Sequence, residues 1–394
     1  MGDYMLVLTS CLDFYEKDSL GRKVAHVFGN KNGILDCIKK NVLKCENFVF
    51  VASNPHEYEE TDLYASLAFK SFELTLPFKN YIILDGRMES KVEEVILGAD
   101  LIFLCGGHLP TQNKFFNDIK LKEVLKKATA LIIGGSAGSM NCAQAVYCPP
   151  ELEGESLDPN FKRELEGLDL SCINIFPHYD VFKNFMLDGK KYMEEIVFPD
   201  SYDKNIIALE DGAYIVQGEN QINILGNSYL VKNGRVDIVS KNESPYSIFA
   251  PQFIEGKVID LKLAVFRPET DKCGFTYLSY NILLKDSKTI VGSVSAKIGD
   301  DSLLDVIGNV GYEVDLKYRG KGFAVEATKM LLSVFKMNGM NNVRITNIPE
   351  NKNSRRVCEK LGAQYVGQID IPEGNIRRVK YGETKMNVFV VEIK

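Results

Sequence analysis

The stretch Leu131-Ile132-Ile133-Gly134-Gly135-Ser136-Ala137-Gly138-Ser139-Met140 decides how the first half of this chain folds. An apolar, strand-like run passes into Gly-x-Ser-x-Gly with small residues at both free positions, and then into a segment able to start a helix. Such a layout sets a serine on a tight strand-to-helix turn. Small neighbours leave its hydroxyl uncovered, and the following helix turns unpaired N–H groups and a positive dipole end toward developing negative charge. Ser136 is therefore a candidate nucleophile, the plain alternative being an ordinary Gly-rich turn. Outward from this stretch, Met5 to Leu8, Phe48 to Ala52, Tyr81 to Leu84 and Leu101 to Cys105 read as further strands. Between them Val24 to Asn41, Glu60 to Phe72, Met88 to Leu97 and Phe115 to Lys127 carry apolar residues at helical spacing. Alternation of this kind predicts an α/β domain with a mostly parallel sheet and crossover helices. Residues 206 to 239 change to short strands, punctuated by Gly212, Gly218, Gly226 and Gly234.

The chain has 394 residues, 45% of them hydrophobic and 25% charged, with 31 Gly and 13 Pro. Its length predicts two or three domains, and the composition excludes a disordered, collagenous or coiled-coil chain. No run of about 18 uncharged apolar residues occurs, and Met1 to Lys17 has an acidic residue at position 3 and no cationic start. A cytoplasmic protein off the membrane is expected. Nine cysteines without a C-x-x-C pair argue against a disulfide framework and a zinc knuckle, so no metal is expected. The net charge of −6 is unevenly shared: from Val258 onward the chain carries 21 basic and 16 acidic side chains, +5, against −11 before it. The acidic part makes nucleic acid a poor partner, whereas the basic part suits a small polyanion.

A serine nucleophile needs a base, and the chain has four histidines. His178 follows the apolar run Cys172 to Phe176, at a strand end, where open α/β sheets place ligands. His108 follows Cys105-Gly106-Gly107, another strand exit. His26 falls within an expected helix and His56 in a polar loop. Glu210 and Asp211, in Ala-Leu-Glu-Asp-Gly-Ala, stand at a further strand-to-turn junction as candidate acids.

Taken together, Leu-Cys-Gly-Gly before a helix, Gly-Gly-Ser-Ala-Gly-Ser-Met, Pro-His-Tyr-Asp and the late Glu-Asp-Gly resemble the S51 serine peptidases, the family of peptidase E and cyanophycinase. The resemblance covers roughly residues 1 to 240 and implies a doubly wound, class I glutamine-amidotransferase-like domain, drawn at 1–245. It implies Ser136 as nucleophile, His178 as base, Asp211 or Glu210 as the acid, and the N–H groups of Gly107 and Ala137 as an oxyanion hole. Where many relatives have asparagine after the two glycines, this chain has His108, so a specificity is not carried over.

Lys241 to Gly256, with Pro245 and Pro251 and no clear period, reads as a linker whose apolar residues pack. Beyond it, strands at Ile282 to Leu284, Thr289 to Lys297, Gly308 to Asp315, Asn342 to Asn347 and Asn387 to Ile393, with helices at Gly322 to Met337 and Asn353 to Leu361, predict an α+β module. Its informative run is Gly311 to Ala324: Arg319-x-x-Gly322-x-Ala324 leaves little side chain where backbone N–H groups would meet a pyrophosphate at a helix start. No Lys-Ser/Thr pair follows and no G-x-G-x-x-G occurs, which disfavours nucleotide triphosphates and NAD.

With Asn351-x-x-Ser354 and Lys360-Leu361-Gly362, this run resembles the GNAT acetyltransferases over residues 258–394. The resemblance implies acetyl-CoA as a substrate, with its pyrophosphate on Arg319, Gly320, Lys321, Gly322, Phe323 and Ala324. Asn351 and Ser354 would contact the pantetheine arm or the loop beside it. Backbone near Val314 would polarise the thioester, and Glu313, a tyrosine or water would serve as base. Many relatives carry a tyrosine acid where this chain has Cys358. The segment between Arg267 and Asn281 is short for the two helices that usually cover the acceptor, which implies a wide acceptor cleft or one completed by the first domain. The expected protein joins a serine hydrolase acting on small peptides or amides to an acetyl-CoA-dependent N-acetyltransferase; the alternative makes the first domain a non-catalytic module that binds the acceptor.

Overall fold

The computed structural model describes residues 5–393. The chain divides into two compact units, residues 1–247 and 248–394. Strands Tyr246–Phe249 and Phe253–Ile254 form inside the expected linker, and the division falls within the first of them.

Seven strands of the first unit form one sheet in the order Gln221–Leu225, Tyr214–Gln217, Leu6–Thr9, Leu131–Gly135, Leu101–Leu104, Asn47–Val51, Asn80–Leu84. The last five run parallel, and Tyr214–Gln217 pairs antiparallel with Leu6–Thr9. Leu6–Thr9, Leu101–Leu104 and Leu131–Gly135 are buried along their whole length, as strands covered on both faces must be. Phe48, Phe50, Phe72 and Phe103 anchor the core on one face of this sheet. A second sheet, ordered Asn174–Phe176, Ile206–Leu209, Ser228–Lys232, Arg235–Ser240, begins with a parallel pair.

The structure departs from the sequence reading at two helices. Residues 24 to 41 do not form one helix: Lys23–Ala25 pairs with Tyr15–Lys17 as a hairpin, and helix starts only at Ile34, after Gly33 in a left-handed conformation. Gly29 and Gly33 interrupt what the apolar spacing suggested, so His26 is not helical. The expected helix 115 to 127 is two helices, Leu109–Asp118 and Leu121–Leu125, broken where Lys120 takes φ 52°.

In the second unit, Phe253–Ile254, Ile259–Arg267, Phe275–Leu284, Ile290–Gly299 and Val310–Val314 form an antiparallel sheet in chain order. Asn342–Asn347, Lys385–Glu392 and Gln364–Asp370 form a three-stranded sheet. Helix Phe323–Met337 packs Phe323, Ala327, Leu331, Val334 and Phe335 inward against the larger sheet. Elements without an expected counterpart include the strands Ile259–Arg267 and Gln364–Asp370 and the helices Leu303–Ile307 and Ile376–Tyr381.

Candidate active sites

Ser136 follows the strand Leu131–Gly135 directly and takes φ 49°, ψ −118°, before the short helix Ala137–Met140. The turn is crowded by backbone. A Cβ on Gly138 would meet the Leu104 carbonyl oxygen at 2.1 Å, and one on Gly134 would lie 2.6 Å from Ser139 Cα. Only glycine fits either place. Ser139 then fastens the helix to the first strand: its hydroxyl donates toward the Thr9 and Gly134 carbonyls, at 2.8 and 2.7 Å, and accepts the Thr9 N–H at 2.9 Å.

Strand direction assembles the rest. Asn174–Phe176 and Ile206–Leu209 are parallel, Phe176 standing opposite Ala208, so the residues that follow them emerge at the same end. Those residues include His178 and Asp211. His178 Nδ1 lies 2.7 Å from Asp211 Oδ1 and Nε2 lies 3.1 Å from Ser136 Oγ. The carboxylate beside Nδ1 fixes the tautomer that leaves Nε2 free to accept from the serine. Ser10, at the end of the strand Leu6–Thr9, donates its hydroxyl to Asp211 Oδ1 at 2.7 Å and accepts the His178 N–H at 2.8 Å. Burial alone would raise the Asp211 carboxyl, yet hydrogen bonds from His178, Ser10 and Cys11 outweigh it and hold the group at about 2. Burial and the adjoining carboxylate push the Cys11 thiol up to about 12, so it remains a donor.

Glu210, named with Asp211 as an alternative acid, is not brought to the imidazole. Its carboxylate accepts from Asn227 Nδ2 at 2.8 Å and from the Tyr229 hydroxyl at 3.0 Å. His108 lies on the cleft with both ring nitrogens engaged, by Thr111 Oγ1 and Glu155 Oε1, each at 2.8 Å. His26 pairs with Asp13 at 2.9 Å, away from the serine. Among the described residues the N–H groups of Gly107 and Ala137 have no protein acceptor. A cleft of about 630 Å³ opens over Ser136, His178 and Gly107; its charged lining apart from the histidines is Glu57 and Glu60. Ser10 and Cys11 were missed by sequence reasoning, since only the sheet order sets them beside Asp211.

In the second unit, Arg319 Nε donates to the Val314 carbonyl at 2.8 Å, which folds the turn back on the strand Val310–Val314. Gly320 and Gly322 take φ 81° and 86°, and Phe323–Met337 begins at once. The N–H groups of Gly320, Lys321, Gly322, Phe323 and Ala324 have no protein acceptor among the described residues. Five consecutive free donors at the start of a long helix form a concavity for an anion. A Cβ on Gly322 would meet nothing within 4 Å, so its glycine answers to backbone conformation rather than to space within the chain. Asn351 and Ser354 bond inside the chain: Asn351 Oδ1 caps the helix Lys352–Leu361 by accepting the Ser354 N–H at 3.0 Å, and Ser354 Oγ lies 2.8 Å from the Tyr312 hydroxyl. These bonds tie the start of that helix to the strand Val310–Val314. Cys358 is fully buried beside Asn347 and Tyr312, and burial pushes its thiol up to about 11. Glu313 is exposed on the strand Val310–Val314.

Residues 30–225 match the model of peptidase family S51, and residues 256–364 match that of the acetyltransferase (GNAT) domain. Among solved structures, a peptidase from an acI-B1 Actinobacterium is 13% identical, with 62% of this chain and 96% of that one covered and a TM-score of 0.46. The acetyltransferase (GNAT family) from Bacillus anthracis is 22% identical over 29% of this chain and 65% of its own, TM-score 0.24. The microcin C7 self immunity acetyltransferase MccE, solved with acetyl-CoA and AMP, is 22% identical over 30% and 61%, TM-score 0.23. The chain thus spans less than two thirds of the length of these two acetyltransferases. No curated protein matches.

Proposed function

From a chain that joins a peptidase family S51 domain to a GNAT acetyltransferase domain, both families of enzymes, we propose a bifunctional protein: a serine hydrolase of small peptides or amides, and an acetyl-CoA-dependent N-acetyltransferase. The observation that carries the first activity is the hydrogen-bonded chain from Ser136 through His178 to Asp211. Ser136 Oγ attacks the scissile carbonyl as His178 Nε2 takes its proton. The oxyanion is received by the N–H groups of Gly107 and Ala137. His178 then protonates the departing amine, and water repeats the sequence in reverse on the acyl-serine. Asp211 stays ionised throughout and holds the imidazole in place. Among the described residues no lysine or arginine lines the cleft, and its Glu57 and Glu60 favour neutral or cationic substrates over acidic ones.

The GNAT family uses acetyl-CoA. The free N–H groups from Gly320 to Ala324 fit its pyrophosphate, and the basic balance of this half suits a polyanion. In the transfer, the acceptor nitrogen bonds the acetyl carbon, the C–S bond of the thioester breaks, and the ammonium proton leaves through Glu313 or water. A cytoplasmic location fits both substrates; no helix among the described residues is long and apolar enough to cross a membrane.

A fluorophosphonate probe tests the first reading. Stoichiometric labelling at Ser136, abolished in Ser136→Ala, is expected; an unreactive Ser136 in a folded chain would instead favour a domain that only binds the acceptor. Titration of acetyl-CoA into the whole chain tests the second, which absence of binding would overturn.

A further inference from the structure

Strand pairing in the second unit lines up side chains that no motif marks. Arg267 stands opposite Tyr277, and Tyr277 opposite Lys297, on three neighbouring strands. Residues directly opposed share a face. In the next row on that face, beside Val265, stand Ser279, Ser295 and Gly311. These are small residues, and a Cβ on Gly311 would lie 2.8 Å from Ser295 Oγ and 3.8 Å from Lys297 Nζ. The ammonium therefore reaches the strand Val310–Val314, which leads into the anion-binding turn. Residues 268–274, which join the first two of these strands, contain no helix.

Among the described residues neither cation in this row pairs with a carboxylate. The Arg267 guanidinium lies over the rings of Phe275 and Tyr277, at 4.7 and 5.8 Å, and its buried Nε has no acceptor among the described residues. Burial, with Arg267 and Arg377 nearby, pushes the Lys297 ammonium down to about 8. Arg377 comes from the helix Ile376–Tyr381 and is already held by Glu383, Nε to Oε2 at 2.6 Å. Two partly buried cations without an acid between them are unfavourable in the free protein. An anion supplied by a ligand satisfies both at once, through charge-assisted hydrogen bonds that include the idle Nε–H.

We infer that this face binds the anionic end of the acetyl acceptor, an amine that also carries a carboxylate or phosphate, with Arg267 and Lys297 as the recognising groups. The inference rests on the acetyl-transfer reading of this unit. Gly311 lies one row, about 7 Å, from the row of Lys297, and Glu313 lies about 13 Å from it. An acceptor anchored by its anion at Lys297 thus presents an amine four or five bonds away alongside the strand Val310–Val314, with Glu313 beyond to take the proton.

The test uses the whole chain saturated with CoA, so that the turn before Phe323 is occupied, and titrates inorganic phosphate and succinate by calorimetry. Binding is expected, weakened about tenfold or more in Arg267→Gln and in Lys297→Gln, with CoA affinity measured alongside. Turnover is then compared within matched pairs: O-phosphoethanolamine against ethanolamine, and β-alanine against propylamine, each read as amine-dependent CoA release. The anionic member is expected to have at least about tenfold higher kcat/KM, an advantage that Lys297→Gln removes, and the two pairs separate phosphate from carboxylate recognition. Equal use of charged and uncharged members, or anion binding unchanged by both substitutions, overturns the inference. A chain that fails to bind CoA counts against acetyl transfer instead, and the phosphate titration of that chain and its two variants still decides whether Arg267 and Lys297 hold an anion.

Discussion

The two halves of this molecule assemble their sites from different materials. In the first, side chains from four strand ends, Ser10, Ser136, His178 and Asp211, are already bonded to one another. In the second, the candidate surfaces consist of groups that, among the described residues, lack a hydrogen-bond acceptor or an opposite charge: five backbone N–H groups at a helix start, and two cations on a sheet face. A preassembled chain of hydrogen bonds suits chemistry performed by the protein's own atoms, which must be positioned before substrate arrives. Unsatisfied donors suit the capture of a charged ligand that completes them. Substitutions should therefore act all-or-none in the first half and by degrees in the second.

The largest effect is expected from Ser136→Ala, which should lower peptide hydrolysis about 10⁴-fold or more while acetyl-CoA affinity stays unchanged; a parallel fall in that affinity, measured by calorimetry, would break the contrast. Asp211→Asn should cost hydrolysis up to about 10⁴-fold by presenting the wrong imidazole tautomer, whereas Glu210→Gln should leave the rate within about threefold. The same Asp211 variant sharpens the contrast through pH. The folded carboxyl sits near 2 against an ordinary 3.8, so its bonds stabilise the native state above pH 3.8 and that contribution is lost as pH falls through 2. Acid unfolding of Asp211→Asn, followed by circular dichroism, should accordingly begin at higher pH than in the parent.

A graded response is expected in the second half. Gly322→Val must hold a β-branched residue near φ 86°, so acetyl-CoA should bind at least about tenfold more weakly, through a distorted turn rather than a clash. Arg319→Ala, which removes an exposed side chain and its bond to the Val314 carbonyl, should weaken binding only a few-fold, less at high salt. Smallest of all, His108→Ala should leave hydrolysis within about twofold, because its nitrogens are engaged by Thr111 and Glu155 rather than by the serine. A collapse of activity there would move the proton-transfer role away from His178.

The parallel strands of the first unit were legible because each is a short, continuously apolar run bounded by turn residues, and the tight turn at Ser136 because its glycines have neighbours that forbid a side chain. The region around His26 misled, since Val24 and Val27 fit helical spacing while belonging to a hairpin and the loop after it. Ile259–Arg267 was passed over because its polar residues, Asp260 and Lys262, interrupt the apolar run. Cys11 and Ser10 gave no local signal at all: their place beside Asp211 follows from sheet order across about 200 residues. The row Arg267, Tyr277, Lys297 was equally invisible, because it exists only once three strands have found their register.

The backbone at Ser136 also bears on how such a domain can drift. At φ 49° and ψ −118° a residue with a Cβ is held where glycine would rest without strain, a penalty on the order of 1–3 kcal/mol. Replacement by glycine would thus be rewarded wherever only persistence of the fold is selected. A lineage that no longer needed hydrolysis would shed this serine early and keep its strands, whereas one that retains it at this position forgoes that stability in every generation.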